Sequence, residues 1–300
     1  MMVRPANFGF NEETAGNNAF QTKDNSLTTN EIKEKAAAEF DSFVKILRGC
    51  SVDVIVMEDS VAPLKTDAVF PNNWFSTHED GTMILYPMYS RNRRLERDEN
   101  IIRALENDFK VVKKVHFDQF ENDNLFLEGT GSMILDRPNK ICYACLSVRT
   151  DLVLLNRLCS VIGYKSVAFH AVDASDQDIY HTNVMMALGE TFVVICLETV
   201  KSEAEKAALL HEFQVTQKEI IEISLAQMQR FAGNMLQVRN DKGETFLVMS
   251  QQAFESLTSE QIQQIEKHTR ILSADIKTIE TYGGGSARCM LAEIFFEKRG

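Results

Sequence analysis

A short pattern recurs along the chain: a small or polar residue followed at once by an apolar segment that is typical of a strand. The successive occurrences are 55, 58, 52, 51 and 55 residues apart. A repeat of this length predicts supersecondary units that stack on one another, because a single unit cannot bury its apolar face alone. Six occurrences that span five periods predict a closed ring of five units, in which the first and last occurrences share a unit. The occurrences begin at Asn18, Asn73, Gly131, Asn183, Asn234 and Cys289.

Helices and strands alternate between these positions, which indicates an α/β fold. The first helix is predicted after a cap at Asn30 and before Gly49, because its apolar residues form one stripe. The stripe consists of Ile32, Ala36, Phe40, Phe43, Val44 and Leu47. The predicted helices are 31–49, 97–109, 151–162, 203–213 and 250–269, and the predicted strands are 52–57, 111–117, 166–170, 219–223 and 270–279.

Composition narrows the range of partners. Hydrophobic residues make up 44% of the chain and charged residues 25%, which is typical of a globular protein, and the formal net charge is −11. Such a charge argues against binding to nucleic acid or to an anionic membrane, and it favours a small-molecule partner. We find no apolar leader and no apolar run long enough to span a bilayer, so we expect a cytoplasmic protein with no membrane partner. Six dispersed cysteines indicate reduced thiols.

The sixth repeat contains a candidate nucleophile. Residues 283–289 read Gly-Gly-Gly-Ser-Ala-Arg-Cys, and an apolar run that is predicted to be a strand follows. Glycines allow a sharp turn and a close approach by another molecule, and Arg288 is expected to favour the thiolate of Cys289. The local sequence is equally compatible with a tight turn before a core strand that carries an ordinary buried cysteine.

The second repeat offers a candidate binding segment, in which Asp67, Asn72 and Asn73 precede Trp74, the single tryptophan of the chain. Carboxylate and amide groups can bind the N–H groups of a guanidinium, and amides also match the mixed donors and acceptors of a urea. The alternative is a Pro-Asn-Asn turn with the tryptophan packed in the core.

A carboxylate and a histidine lie at equivalent places in the third and fourth repeats. Glu128 stands between an apolar strand and two glycines, where it is expected to be poorly solvated and to need a partner. His181 can supply that partner, and imidazole is the side chain best suited to proton transfer near neutral pH. Taken singly, Glu128 could be a solvated loop residue and His181 a structural histidine. Their register with Cys289 favours a catalytic interpretation.

Other candidate sites are weaker. Cys142 and Cys145 form one CxxC with no second pair at zinc spacing, and their segment alternates like a buried strand. A cluster of arginines is predicted to be a solvated loop and helix start, with the alternative that one of them closes over an anionic substrate. The cluster consists of Arg91, Arg93, Arg94 and Arg97.

The motifs DAVFPNNWFSTH, FLEGTGSMILDR, YHTNVMM and GGGSARCM, together with MVRPANFGFN, resemble those of the guanidino-group-modifying superfamily. That superfamily comprises arginine deiminases, dimethylarginine dimethylaminohydrolases and amidinotransferases, and the chain looks most similar to the arginine-deiminase-related citrulline utilisation hydrolases. The resemblance runs through the whole chain. It implies a five-bladed α/β propeller, the pentein fold, in one catalytic domain (residues 1–300) with the active site on the axis.

The same resemblance implies roles for individual residues. Cys289 is the nucleophile, His181 the general acid and base, and Glu128 the carboxylate that orients the histidine. Asp67 matches an acid that lines the substrate pocket, and Arg149 matches an arginine that holds the substrate carboxylate. Arg288 is the remaining candidate for substrate binding, and no metal or organic cofactor is implied.

One departure bears on the substrate. Where arginine-acting relatives carry an acidic pair, this chain has Asn72 and Asn73, as the similar succinylarginine dihydrolases do. A buried guanidinium needs opposing charge, whereas a ureido group needs a mixture of donors and acceptors that amides supply. The expected partner is therefore a small ureido or guanidino amino acid, citrulline or arginine in type. A homodimer, amidine transfer to an amine and a non-catalytic binding propeller stay open.

Overall fold

The computed structural model describes residues 1–24 and 26–300. Its strands form five small sheets among the described residues. Two strands lie side by side in one sheet, and three strands lie in each of the others. The strands are β1 (Met2–Arg4), β2 (Val56–Glu58), β3 (Phe75–Thr77), β4 (Thr82–Leu85), β5 (Lys113–His116), β6 (Ile134–Asp136), β7 (Ile141–Cys145), β8 (Lys165–Phe169), β9 (Met186–Leu188), β10 (Phe192–Ile195), β11 (Glu219–Glu222), β12 (Leu236–Arg239), β13 (Thr245–Ser250) and β14 (Arg270–Ala274).

Helices connect the strands and cover the outside of the sheets. The longer ones link the two parallel strands of a unit. The α-helices are α1 (Thr29–Gly49), α2 (Glu99–Asp108), α3 (Gly129–Ser132), α4 (Leu152–Ile162), α5 (Thr182–Met185), α6 (Glu203–Val215), α7 (Leu225–Met228), α8 (Gln251–Ser256), α9 (Ser259–Glu266) and α10 (Lys277–Gly283). None of the described helices combines the length and the apolar character that a membrane crossing requires.

Each three-stranded sheet repeats one topology. The middle strand pairs antiparallel with the strand before it and parallel with the strand after it, as in the order β3-β4-β5. A helix links the two parallel strands, because parallel neighbours need a crossover connection. The units β6-β7-β8, β9-β10-β11 and β12-β13-β14 are built in the same way.

The fifth unit joins the two ends of the chain. β1 and β2 pair in parallel with α1 between them. In place of an antiparallel strand, the C-terminal segment exchanges two hydrogen bonds with the first residue: Met1 N donates to Ala292 O at 2.7 Å, and Ala292 N donates to Met1 O at 3.0 Å. The ring of five units therefore closes through the termini.

The first helix forms as its apolar spacing predicts, and all six residues of the predicted stripe are buried. Its cap is Thr28 and not Asn30, because the Thr28 side chain accepts from Glu31 N while the Glu31 carboxylate accepts from Thr28 N, a reciprocal capping box. The helix packs into one cluster with residues of α10 and with Ala274 at the end of β14.

Several predicted boundaries are wrong. The strand predicted over 52–57 is shorter and shifted, at Val56–Glu58. The helix predicted over 250–269 is two helices, because Leu257 is extended and Thr258 caps a new start. The strand predicted over 270–279 ends at Ala274, and the buried Ile276, Ile279 and Tyr282 follow helical spacing in and beside α10.

Two repeat positions are not followed by a strand. Asn18 lies in a turn, and its side chain approaches the carbonyls of Gly283 and Gly284 at 3.4 Å each. Cys289 lies in a turn whose continuation forms the Met1–Ala292 exchange, an isolated bridge at Lys298 and backbone bonds to Asp108 and Lys110, and no strand is formed among these described residues. The ring closure that the repeat predicted therefore involves the N-terminal strand and not the Asn18 segment.

Candidate active site

Tight turns bring chemically active side chains to one end of the ring axis. The first strand of each three-stranded unit begins one to three residues after such a turn, and Cys289 lies in the corresponding turn of the closing unit. A 3₁₀ turn at Pro71–Asn73 precedes β3, α3 precedes β6 and α5 precedes β9. Side chains that are more than 50 residues apart in the sequence therefore meet.

Glu128 and His181 form a buried pair in which Nε2 of the histidine lies 2.8 Å from Oε2 of the carboxylate. Each residue immediately precedes the short helix of its unit, α3 or α5. The other carboxylate oxygen accepts from Tyr89 N at 2.8 Å, and Glu128 N donates to Ser132 Oγ at 2.8 Å. The carboxylate is therefore held from both sides and fixes the plane of the imidazole.

The two groups differ in charge. Burial alone raises the pKa of Glu128, but the positive charge of Arg149 and the bond from His181 outweigh it and lower the pKa to about 2. Burial lowers the pKa of His181 to about 4 against the opposing effect of Glu128. Near pH 7 the site thus contains a carboxylate and a neutral imidazole. The proton of that imidazole lies on Nε2, where it can be donated to Glu128, and Nδ1 stays free to accept a proton.

Gly131 leaves room for this histidine. A Cβ at this position would lie 2.7 Å from His181 Nδ1 and 2.3 Å from the Asn73 amide nitrogen. Nδ1 of the base and the Asn73 amide therefore border the same small space, which only a glycine leaves open.

Two asparagine amides hold the sulfur of Cys289. Nδ2 of Asn183 lies 3.3 Å from Sγ, and Nδ2 of Asn234 lies 3.2 Å from it. The Asn234 carbonyl accepts from Arg288 N at 3.0 Å, which orients its amide nitrogen towards the sulfur. N–H donors aimed at a sulfur stabilise the thiolate more than the thiol. Cys289 is buried, with 5% of its residue surface exposed.

The Arg288 side chain does not join this group. Its guanidinium donates to Leu291 O at 2.8 Å and approaches a Glu293 carboxylate oxygen at 3.4 Å. Burial lowers the pKa of Arg288. The hydrogen bonds to the sulfur thus come from asparagine amides, and not from the neighbouring guanidinium that the sequence suggested.

Asp67 lies beside a buried arginine. Nε of Arg93 is 3.6 Å from Asp67 Oδ2, and the guanidinium forms two bonds with the carboxylate of Glu96 at 2.8 and 2.9 Å. The same guanidinium donates to Asn73 Oδ1 at 3.0 Å. The prediction that this arginine lies in a solvated loop is wrong for Arg93, which is buried because three acceptors surround it. Burial raises the pKa of Asp67 and raises that of Glu96 to about 7.

The asparagine pair is buried and only partly bonded. Both amide atoms of Asn72 and the amide nitrogen of Asn73 have no hydrogen-bond partner among the described residues, and the same is true of Asp67 Oδ1. The Pro-Asn-Asn turn and the buried Trp74 predicted by the alternative interpretation are also present. A structural turn therefore carries polar groups that need a further partner.

Arg149 connects the catalytic pair to the segment that covers it. Its guanidinium lies 3.6 Å from Glu128 Oε2 and 4.8 Å from the centre of the Tyr180 ring. It also donates to Asn17 Oδ1. Nε of Arg149 is buried without a hydrogen-bond partner among the described residues.

Residues 11–21 lie over the site. Asn11 donates to Asp67 Oδ2 at 2.7 Å, Asn17 accepts from Arg149, and Phe20 packs against Tyr180. The three glycines at 283–285 accommodate these contacts, since a Cβ at Gly284, which has φ of +63°, would meet Asn18 at 2.6 Å. The close approach that the glycines predicted is made by the covering segment and by the Phe70 ring beside Gly283 and Gly285.

The sequence assigned no specific role in this site to four of its residues: Asn11, Arg93, Asn183 and Asn234. A signal existed for two of them, because Asn183 and Asn234 are repeat positions in register with Cys289. Arg93 and Asn11 gave no such signal, since neither lies at a repeat position.

The CxxC pair is divided between two faces of its strand. Cys142 packs in one apolar cluster and Cys145 in another, because residues three apart on a strand point in opposite directions. Within residues 1–24 and 26–300, no cluster of three or more His, Cys, Asp or Glu side chains is arranged to hold a metal ion.

The family model described as "N,N dimethylarginine dimethylhydrolase, eukaryotic" matches residues 4–296. The chain belongs to this family. Membership of the dimethylarginine dimethylhydrolase family confirms the predicted guanidino-group-modifying superfamily. No curated protein sequence matches this family member significantly.

Solved structures share the fold of this dimethylarginine dimethylhydrolase family member. The N-terminal domain of ArgZ, an arginine dihydrolase of the ornithine-ammonia cycle in cyanobacteria, is 15% identical with a TM-score of 0.73, and the match covers 98% of both chains. Unliganded AgrE is 16% identical with a TM-score of 0.73, over 99% of this chain and 38% of AgrE. A dimethylarginine dimethylaminohydrolase adduct with S-methyl-L-thiocitrulline is 15% identical with a TM-score of 0.62, over 96% of both chains. The five sheets and these likenesses confirm the predicted five-bladed α/β propeller.

Proposed function

We propose that this protein is a cysteine-dependent hydrolase that acts on the guanidino or ureido group of a small amino acid and releases ammonia. The observation that carries the proposal is a buried Glu128–His181 pair on the same turn as Asn183, whose amide, with that of Asn234, donates to the sulfur of Cys289. We also propose that residues 1–300 form one catalytic domain, because the ring closes through both chain ends.

The first step forms a covalent intermediate. The neutral His181 takes the proton of the Cys289 thiol, and the sulfur attacks the central carbon of the substrate group. An S–C bond forms and a C–N bond breaks. The proton on His181 passes to the departing nitrogen, which leaves as ammonia when the terminal nitrogen is the leaving group. Glu128 stabilises the imidazolium that exists between these transfers.

The second step releases the product. A water molecule gives a proton to His181 and attacks the same carbon, the S–C bond breaks, and the sulfur leaves as thiolate. A guanidino substrate yields a ureido product, and a ureido substrate yields a carbamic acid that loses carbon dioxide to leave an amine. Asn183 and Asn234 stabilise the sulfur at each stage in which it carries negative charge.

The unpaired polar atoms favour a ureido group. Asn72, Asn73 and Asp67 together offer two amide donors and two acceptors without partners. A ureido group has one oxygen to accept and several N–H groups to donate, which matches this mixture. We assign the substrate carboxylate to Arg149, which would bind it once Asn17 gives up its contact.

The buried charges favour a guanidinium as a second candidate. Three buried carboxyl groups, those of Asp67, Glu96 and Glu128, face two guanidinium groups, those of Arg93 and Arg149. A cationic substrate would balance the remaining negative charge. An enzyme that hydrolysed arginine and then its ureido product at this one site would be an arginine dihydrolase, the activity that names the ArgZ neighbour.

The test measures products from a panel of substrates. The purified protein is incubated separately with arginine, citrulline, methylarginines and succinylarginine, and ammonia, citrulline and ornithine are measured over time. Ammonia and ornithine from citrulline would identify the ureido hydrolase, and citrulline as the end product from arginine would identify a deiminase. Transfer of the amidine group to an added amine would identify an amidinotransferase.

Two cysteine variants separate catalysis from folding. Cys289→Ser should abolish turnover, while Cys50→Ser, at the half-buried end of α1, should retain it. A thiol-reactive amidine should add to the Cys50→Ser protein at Cys289, as detected by mass spectrometry of peptides. No adduct at Cys289 and no ammonia from any substrate would instead indicate a non-catalytic binding propeller.

A further inference from the structure

A cavity of about 640 Å³ lies between the first strands of three units and the C-terminal segment. It is lined by the strands β6, β9 and β12, at residues 134–137, 187–190 and 235–239, and by the C-terminal segment 291–296. These strands begin one or two residues after the turns that precede β6 and β9 and after the turn that carries Asn234. None of Glu128, His181 and Cys289 lines it, so it is a separate space.

Thr130 and Arg288 contribute to the inner wall of the cavity. Thr130 follows Glu128 by two residues, and Arg288 immediately precedes Cys289. A volume of this size is within the range of small-molecule binding sites. Its other walls are largely apolar and include Ile134, Met235 and Leu291.

Nearly all charged groups of the lining are already paired. Lys218 lies 3.2 Å from Asp136, and Lys298 lies 2.8 Å from Asp53. Arg239 contacts Glu190, and Arg288 approaches Glu293 at 3.4 Å. The remaining carboxylate, Glu79, is exposed at the rim.

Arg137 is the exception. It is half-buried and lines the cavity, yet no carboxylate of the described residues lies within 4.0 Å of its guanidinium. Its central carbon lies 3.7 Å from the centre of the Phe295 ring. Stacking fixes the plane of the guanidinium, and the N–H groups that do not face the Tyr164 hydroxyl are available for a planar anion.

We propose that this cavity binds a small amphipathic carboxylate, whose anionic group contacts Arg137 and whose hydrocarbon part packs against Ile134, Met235 and Leu291. An anion fits better than a cation, because the one unpaired charge inside the rim is positive. A planar carboxylate matches the two parallel donors of a guanidinium.

Octanoate is the probe that tests this site. Isothermal titration calorimetry on the whole protein should show saturable binding of octanoate and none of octylamine, which has the same chain and the opposite charge. Arg137→Gln should weaken octanoate binding by about tenfold or more, the usual effect of removing one charge-assisted contact. Arg157→Gln is the matched control, since Arg157 also lies over a phenylalanine ring but on the outer surface.

A third variant distinguishes octanoate binding in the cavity from octanoate binding at the candidate active site. Arg149→Gln should leave the octanoate affinity unchanged if the carboxylate lies on Arg137. Loss of binding in Arg149→Gln with retention in Arg137→Gln would overturn the proposal. Crystals soaked with 8-bromooctanoate give an independent answer, because an anomalous bromine peak between Met235 and Leu291 supports the site and a peak elsewhere rejects it.

Discussion

The amide nitrogen of Asn234 lies 3.2 Å from the sulfur of Cys289, although 55 positions separate the two residues in the sequence. The bond exists because both residues occupy the turn of their own unit at the same end of the axis. Asn183, one unit earlier, adds a second amide at 3.3 Å and also accepts from Asn234 Nδ2 through its backbone oxygen at 3.0 Å. The pseudo-symmetry of the ring thus surrounds one sulfur with donors from its neighbours.

Asn234→Ala should lower the reactivity of Cys289. Removing one donor from a charged acceptor costs about 1.5–3 kcal/mol, so we expect alkylation by iodoacetamide at pH 7 to slow by about tenfold or more. Turnover should fall by a similar factor. The measurement is the rate of Cys289 labelling by mass spectrometry, with Asn156→Ala as control, since Asn156 is exposed and bonds to Ser166 on the outer surface. Equal labelling rates in the two variants would contradict the role of the amides.

Gly131→Ala should disable the base without unfolding the protein. The new methyl would lie 2.7 Å from His181 Nδ1 and 2.3 Å from the Asn73 amide nitrogen, so the imidazole must move. A displacement of about 1 Å costs on the order of 100-fold in rate. Turnover is the measurement, and the melting temperature reports on the fold.

Gly49→Ala is the control for this substitution. A Cβ at Gly49, the last residue of α1, meets no atom within 4 Å, so activity should stay at the level of the unchanged protein. Comparable activity in the two alanine variants would show that His181 does not need the space above Gly131.

The ring and the positions of its reactive groups could be predicted from sequence, because both depend on spacing. The repeat predicted equivalent positions for Asn73, Gly131, Asn183, Asn234 and Cys289, and each lies in, or directly after, a short helix or turn. The first helix followed from its apolar stripe. These features are local or periodic, so the sequence records them directly.

The contacts of side chains in loops and turns could not be predicted in this way. Arg93 resembles its solvated neighbours in sequence and is buried only because Asp67, Asn73 and Glu96 meet around it. Arg288 adjoins Cys289 in the chain, yet its guanidinium bonds to Leu291 and Glu293. Side-chain direction in a turn depends on backbone geometry, which residue type alone does not specify.

Acid should destabilise the protein through two buried histidines. Burial lowers the pKa of His78 and of His181 from 6.5 to about 4. Between these values the unfolded chain binds protons that the folded protein does not, so the free energy of unfolding falls as pH decreases from 6.5 to 4. At pH 5 each histidine should lower the free energy of unfolding by about 2 kcal/mol relative to pH 7.5.

Urea titrations at pH 7.5 and pH 5 measure this difference. His78→Gln removes one of the two groups and should reduce the loss of stability between these pH values by about 2 kcal/mol. His116→Gln, at an exposed position, should leave the loss unchanged. An undiminished loss in His78→Gln would mean that His78 is protonated in the folded protein.

The pH dependence of KM should distinguish a cationic substrate from a neutral one. Burial raises the pKa of Glu96 to about 7 although its bonds with Arg93 oppose this shift, so the site gains a negative charge as pH rises through 7. Arginine should then bind more tightly, with KM falling by about tenfold between pH 6 and pH 8, equivalent to about 1.4 kcal/mol. The KM of citrulline, whose ureido group is neutral, should not follow this transition. Glu96→Gln should remove the pH dependence for arginine, and a KM that falls equally for both substrates would show that the transition belongs to another group.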